Sequence, residues 1–294
     1  MGERILESTL TNRIGERVTL SSLGAAITSI VVRDSSELLG EVAVAAGGSA
    51  GKTIGRYANR IAGGTFDLGG RAYALAVNEG RNTLHGGPDG FSKRLWDFED
   101  GEFVLRSPDG DQGFPGAVEC RVRYTWSDEG ALRIDYAATT DKPTIINLTN
   151  HVYFNLNGEG DVSSHELQIA AQNYTPLDDE LIPTGEIAPV AGTAYDFRAM
   201  RPIGAQKYDV NLAIEGWDGS LRRVAELRDE RGGRRIIVET TQPGLQLYTG
   251  KPGAVALETQ HFADSPHHPN FPSTVLRPGR RFAQTTIYRF ETLT

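Results

Sequence analysis

A single cysteine, Cys120, in a chain of 294 residues excludes any intrachain disulfide framework and any cysteine-rich metal centre. A lone thiol in an alternating apolar segment is most simply a small buried hydrophobe. Long apolar runs are missing too, and nothing approaches the roughly 20 consecutive residues that a membrane-spanning helix needs. Met1 to Asn12 lacks the basic stretch and apolar segment of a secretory leader, so the expected location is cytoplasmic. Basic residues are in the minority: 30 Lys and Arg against 38 Asp and Glu give a net charge of −8. With those cations scattered rather than striped, the composition argues against binding nucleic acid. It suits a small or neutral partner instead. Helical periodicity is also scarce, because Gly or Pro interrupts every potential i, i+3, i+4, i+7 apolar stripe.

What is present is period two. Val118, Cys120, Val122, Tyr124 and Trp126 share one strand face, and Glu119, Arg121, Arg123 and Thr125 share the other. Leu132, Ile134 and Tyr136 repeat the pattern after a turn at Ser127 to Gly130, which predicts a hairpin. Residues 236–241 and 285–290 read as further strands, and turn pairs such as Asn157-Gly158 and Pro243-Gly244 punctuate the chain. A hydrophobic content of 39% is enough for a core. The expected fold is all-β, a large antiparallel sandwich, with residues 1–294 forming one domain.

A glycine-rich loop offers two decoys. Ala46 to Thr53, AGGSAGKT, fits the loose phosphate-binding loop, with Lys52 and Thr53 as the phosphate and magnesium contacts. That chemistry needs a helix starting at Lys52, and the chain supplies Gly55, Gly63 and Gly64 instead. Gly47 to Gly51 also matches the esterase nucleophile elbow, which needs a strand-to-helix turn. A flexible surface loop is the better expectation.

More informative are polar residues set in stretches otherwise built for a core. They are Asn59 and Arg60 in GRYANRIAGG, His85 in NTLHGG, His151 and Tyr153 in NLTNHVYFNL, Asp209 in KYDVNL, Gln246 in GLQLYTG and Glu258 in VALETQHF. Taken singly, each has a plain structural explanation, such as a hydrogen-bonded core histidine, a solvated turn or a polar strand face. Taken together, amides, imidazoles, a guanidinium and carboxylates match a neutral polyhydroxylated ligand, with Tyr153 offering a stacking face. Gly86 and Gly87, following His85, would let the backbone approach such a ligand closely.

The segments GRYANRIAGGTF, NTLHGG, NHVYFNL, LETQHFADSPHHPNFPSTVLRPG and TIYRF resemble the signature segments of the aldose 1-epimerase (galactose mutarotase) family, in order along nearly the whole chain. The resemblance implies a galactose mutarotase-like β supersandwich with a monosaccharide site in a cleft, acting as monomer or homodimer. It implies Glu258 as general base and His151 as general acid. Asn59, Arg60 and Asp209 would bind sugar hydroxyls, His85 would lie beside the ring oxygen, Tyr153 near His151, and Gln246 would place an amide in the cleft. The implied reaction interconverts the α and β anomers of a free aldohexose, galactose or glucose first, and requires no metal, nucleotide or redox cofactor. Another aldose or a hexose phosphate would be the alternative, the latter drawing on Arg56, Arg60 or Lys207; so would a sugar-binding protein without turnover.

The match has departures. Val210 follows Asp209 where the family commonly has His, and Leu212 replaces an aromatic, which puts the role of Asp209 in doubt. The chain is shortened between Asp34 and Lys52, which could reshape a rim of the cleft. His261, Asp264, His267 and His268 cluster without zinc-type spacing, and no metal is expected there.

Overall fold

The computed structural model describes residues 5–293, and among them there is no α-helix, only four short 3₁₀ turns between strands. The largest sheet has nine strands. From one edge these are Asp97–Glu99, Glu102–Ser107, Val118–Trp126, Ala131–Thr140, Phe282–Thr292, Arg234–Thr240, Arg222–Asp229, Glu166–Ile169 and Arg201–Pro202. All its ladders are antiparallel. The hairpin closes where the alternation predicts it, with Ser127 N–H donating to the Ala131 carbonyl.

Alternation explains why this sheet packs as it does. Val118, Cys120 and Val122, with Leu132, Ile134 and Tyr136 opposite, point into one continuous core. Arg121 and Arg123 face outward and pair with Glu119 and Glu102. Full burial of each apolar side chain stabilises by roughly 1.5–3 kcal/mol, whereas the exposed ion pairs contribute at most about 1 kcal/mol apiece. The core, not the charge ladder, sets the register.

Facing it is a six-stranded antiparallel sheet: Tyr153–Phe154, Val255–Gln260, Gly244–Tyr248, Asp209–Ile214, Ala171–Tyr174 and Ala188–Pro189. Val255, Leu257, Leu245, Leu247, Val210 and Leu212 enter the shared core. The intervening residues therefore face away from it, and that face carries the polar groups singled out above. At the two departures, Val210 and Leu212, both side chains are buried in the core, on the opposite side of the strand from Asp209.

A four-stranded N-terminal sheet, Glu7–Thr11, Arg17–Ser21, Ala26–Arg33 and Leu39–Glu41, adds Ile27, Ile30 and Val32 to the same core. From it the shortened segment runs to the edge of the six-stranded sheet, where Val44 N–H donates to the Tyr153 carbonyl.

Candidate active site

Register brings distant residues together on the outer face of the six-stranded sheet. Glu258 lies directly across from Gln246, and Asp209 across from Tyr248. Because Leu257 and Leu247 are committed to the core, their neighbours in each strand must point the other way. Glu258, Asp209, Tyr248 and Tyr153 line one cavity of about 380 Å³, at the small end for ligand pockets. Gln246 does not line it. Its amide, on the same face of the sheet, donates to Asp209 Oδ1 at 2.6 Å and so braces that carboxylate.

His151 reaches the same cavity from mid-chain. Its backbone is gripped by the glycine-rich loop: Gly51 N–H donates to the His151 carbonyl, and His151 N–H donates to the Lys52 carbonyl. The imidazole stacks on Tyr153 with ring centroids 4.8 Å apart, and His85 meets it edge-on at 5.5 Å. Its Nε2 stands 3.7 Å from Glu258 Oε1, and both side chains are buried. That distance is too long for a direct hydrogen bond, yet short enough for one small molecule to touch both groups.

Asn59 and Arg60 complete the opposite wall and are buried rather than solvated. Arg60 is held by Glu79, with Nε donating to Oε2 at 2.6 Å and Nη2 to Oε1 at 3.0 Å. Its Nη1 lies 3.6 Å from Asp209 Oδ2. His85 Nδ1 accepts from the Asn59 N–H at 3.1 Å, which leaves Nε2 as the protonated nitrogen of a neutral ring. A Cβ at Gly86 would fall 2.0 Å from the Gly55 carbonyl oxygen, so the close approach is to the chain itself.

The electrostatics follow from burial. Burial drives the Glu258 carboxyl well above its ordinary range, and the neighbouring Asp209 carboxylate adds to this. The same desolvation lowers His151 to about 4, with Lys251 contributing, and carries His85 well below ordinary imidazole. Burial disfavours charge on either partner, raising the carboxyl and lowering the imidazole.

Comparison with known proteins identifies the family to which this fold belongs. The sequence model of the family described as aldose 1-epimerase matches residues 7–289. The galactose mutarotase of Homo sapiens is 40% identical over 316 residues, covering 93% of this chain and 91% of that protein. The aldose 1-epimerase of Escherichia coli (strain K12) is 39% identical over 327 residues, covering 96% and 94%. The chain belongs to the aldose 1-epimerase family. Solved structures carry the same fold. An aldose epimerase homologue from C. elegans superposes with a TM-score of 0.93 at 29% identity, covering 99% of this chain and 100% of that one. A galactose 1-epimerase from Lactobacillus acidophilus gives 0.85 at 26% identity, with both chains covered completely. The sandwich expected from alternation and resemblance is thus the fold of an aldose 1-epimerase family member, and aldose epimerase activity is the family's general chemistry.

Several other residues acquire a place that sequence reasoning missed. The AGGSAGKT loop is no phosphate cradle, since it runs into strand Thr53–Ile54 and the Thr53 hydroxyl donates to the Ala25 carbonyl. Nor is it a bystander: Gly47, Gly48 and Ser49 form a rim of the cleft, the position where the aldose 1-epimerase family resemblance is shortened. Glu79, Tyr248, Lys251 and Leu181 also line the cavity. Of these, Tyr248 was legible from strand alternation with Gln246; the others sit in turns with no periodic signal. Arg56 is buried elsewhere, donating to the Ser107, Pro108, Pro115 and Gly116 carbonyls. Lys207 does not line the cavity either. In the His261 to His268 segment, His261 is bonded to Gln242 outside it and His267 to Asp264 within it.

Proposed function

We propose that the protein interconverts the α and β anomers of a free aldohexose, galactose or glucose first, with Glu258 as general base and His151 as general acid. The observation that carries this reading is the 3.7 Å separation of His151 Nε2 and Glu258 Oε1 in one cavity. The anomeric oxygen O1 and the ring oxygen O5 are bonded to the same carbon, so two groups this close can serve both at once. Arg60, Asp209, Asn59 and the Nε2–H of His85 supply donors and acceptors for the remaining hydroxyls.

In ring opening, the pair reacts in its ionised arrangement, carboxylate beside imidazolium: Glu258 takes the proton of the O1 hydroxyl while His151 delivers one to O5, and the C1–O5 bond breaks. The aldehyde turns about C1–C2 and recloses on its other face as both transfers reverse. The ring-opened stage leaves Glu258 protonated and His151 neutral. That is the distribution which burial favours, so the pocket's electrostatics act on the open-chain intermediate rather than on the closed sugar. Each positioned group contributes on the order of a hundred- to ten-thousand-fold.

A phosphorylated hexose is less well supported. Arg56 is occupied elsewhere and Arg60 is matched by Glu79 and Asp209, which leaves Lys251 as the cation at the rim. The test is polarimetry on freshly dissolved α-galactose and α-glucose. Catalysed decay of optical rotation is expected for at least one of them. Binding of either sugar without acceleration would favour a non-catalytic sugar-binding role.

A further inference from the structure

Of the described residues other than glycine, eight have positive φ, and three of them line the cleft: Asn59, His85 and Leu181. Asn and His tolerate that region comparatively well, whereas a bulky apolar residue there is a genuine outlier. Leu181 has φ +60° and is 40% exposed, so it combines backbone strain with an apolar side chain left facing the cavity. Neither feature stabilises the fold.

The turn is nevertheless firmly built. Asp178 Oδ1 accepts from the backbone N–H groups of Glu180 at 2.8 Å and Ile182 at 3.0 Å. Leu181 N–H donates to the Asp178 carbonyl. Glu180 is then clamped from the far side, accepting from Arg81 Nε and Asn82 Nδ2, both at 3.0 Å. Asn82 in turn accepts from Gly63 N–H, three residues beyond Arg60. Leu181 is thereby fixed relative to the wall that carries Arg60 and Glu79, with Leu84 as a second apolar residue there. Strain held in place by surrounding bonds, at a cleft, is the signature of a residue whose position serves a ligand.

We propose that Leu181 is a substrate-binding and specificity residue that packs its aliphatic side chain on a C–H face of the bound pyranose. This rests on the sugar-binding reading of the cleft and deepens it. The polar wall of Arg60 and Asp209 recognises hydroxyls. Leu181 recognises the apolar carbon framework between them, and a polar or missing side chain there loses that contact.

The decisive substitution is Leu181→Gly, because it removes the side chain while relieving the backbone strain. Galactose binding, measured by titration calorimetry, weakens by roughly tenfold, the order expected for losing one partly buried leucine contact. KM rises by a similar factor with kcat much less affected, since the lost contact is shared by ground and transition states. The melting temperature stays level or rises. Leu181→Asn, which also accepts positive φ but is polar, weakens binding in the same way, and Leu181→Met restores most of it. A merely structural leucine would give the reverse pattern in Leu181→Gly, a lowered melting temperature with unchanged affinity. Wild-type affinity in either the Gly or the Asn variant overturns the proposal. If the unmodified protein binds galactose without turning it over, the proposed reaction fails while calorimetry still decides the role of Leu181. If it binds no hexose, both fall.

Discussion

Glu258→Gln separates chemistry from folding with little ambiguity. The residue is 3% exposed, no hydrogen bond within the described chain ties its carboxyl, and His151 Nε2 stands 3.7 Å away. Burial favours the protonated carboxyl, and glutamine has nearly the shape of that form. The substitution therefore removes no bond the protein makes and no apolar contact. Its effect on stability should stay within about 1 kcal/mol, the worth of one ordinary hydrogen bond, which is about 2–4 °C in melting temperature for a chain of this size. What it removes is the ability to take the proton from O1. Loss of a positioned base lowers kcat by about 10²–10⁴, or about 2.7–5.5 kcal/mol of barrier, with KM nearly unchanged. Polarimetry on α-galactose reads the rate, and a thermal melt reads the fold. A variant keeping kcat within about tenfold of the unmodified protein would remove Glu258 from the role of base. A drop of more than about 10 °C would mean that the residue serves the fold and that the activity loss is indirect.

Three further predictions rest on the electrostatics and on one backbone contact. Activity needs one proton shared by Glu258 and His151, so kcat/KM is bell-shaped in pH. The acid limb lies near the His151 value of about 4, where a second proton binds and no base remains; the alkaline limb lies where Glu258 loses its proton. Asp209→Asn removes the negative charge that raises Glu258, so the alkaline limb moves to lower pH while the acid limb stays, and an unmoved alkaline limb counts against this coupling. Gly51→Ala should cost at least about 2 kcal/mol by urea denaturation, because φ is +70° and the new Cβ would lie 1.9 Å from the Ile27 carbonyl oxygen. Gly47→Ala has a similar φ of +67° but meets open space, so only the backbone strain, about 1–2 kcal/mol, should appear. Equal destabilisation in the two variants would refute the steric argument.

The loop of residues 47–51 and the polar strand residues show where legibility stopped. Period-two alternation and frequent turn residues determine the fold class, because side-chain direction in a strand is a local property. The same alternation separates Gln246 and Glu258 from the leucines beside them, so the polar face of the sheet was readable residue by residue. The motif resemblance supplied the roles proposed for those residues. The role of the glycine loop was not readable, since its purpose is to hold a histidine 100 residues further on and to form a rim, and neither leaves a periodic trace.

From sequence alone come the all-β class, the polar candidates and the family resemblance. Only the tertiary structure decided that Val210 faces the core, that Gln246 braces Asp209, and that Glu79 holds Arg60. It alone brought His151 to 3.7 Å from Glu258 and left a strained leucine at the cleft. The physical reason is that these are contacts between strands and turns far apart along the chain. Their distances are set by register and core packing, which no local pattern encodes, and the burial that disfavours charge on both Glu258 and His151 exists only once those surfaces have closed.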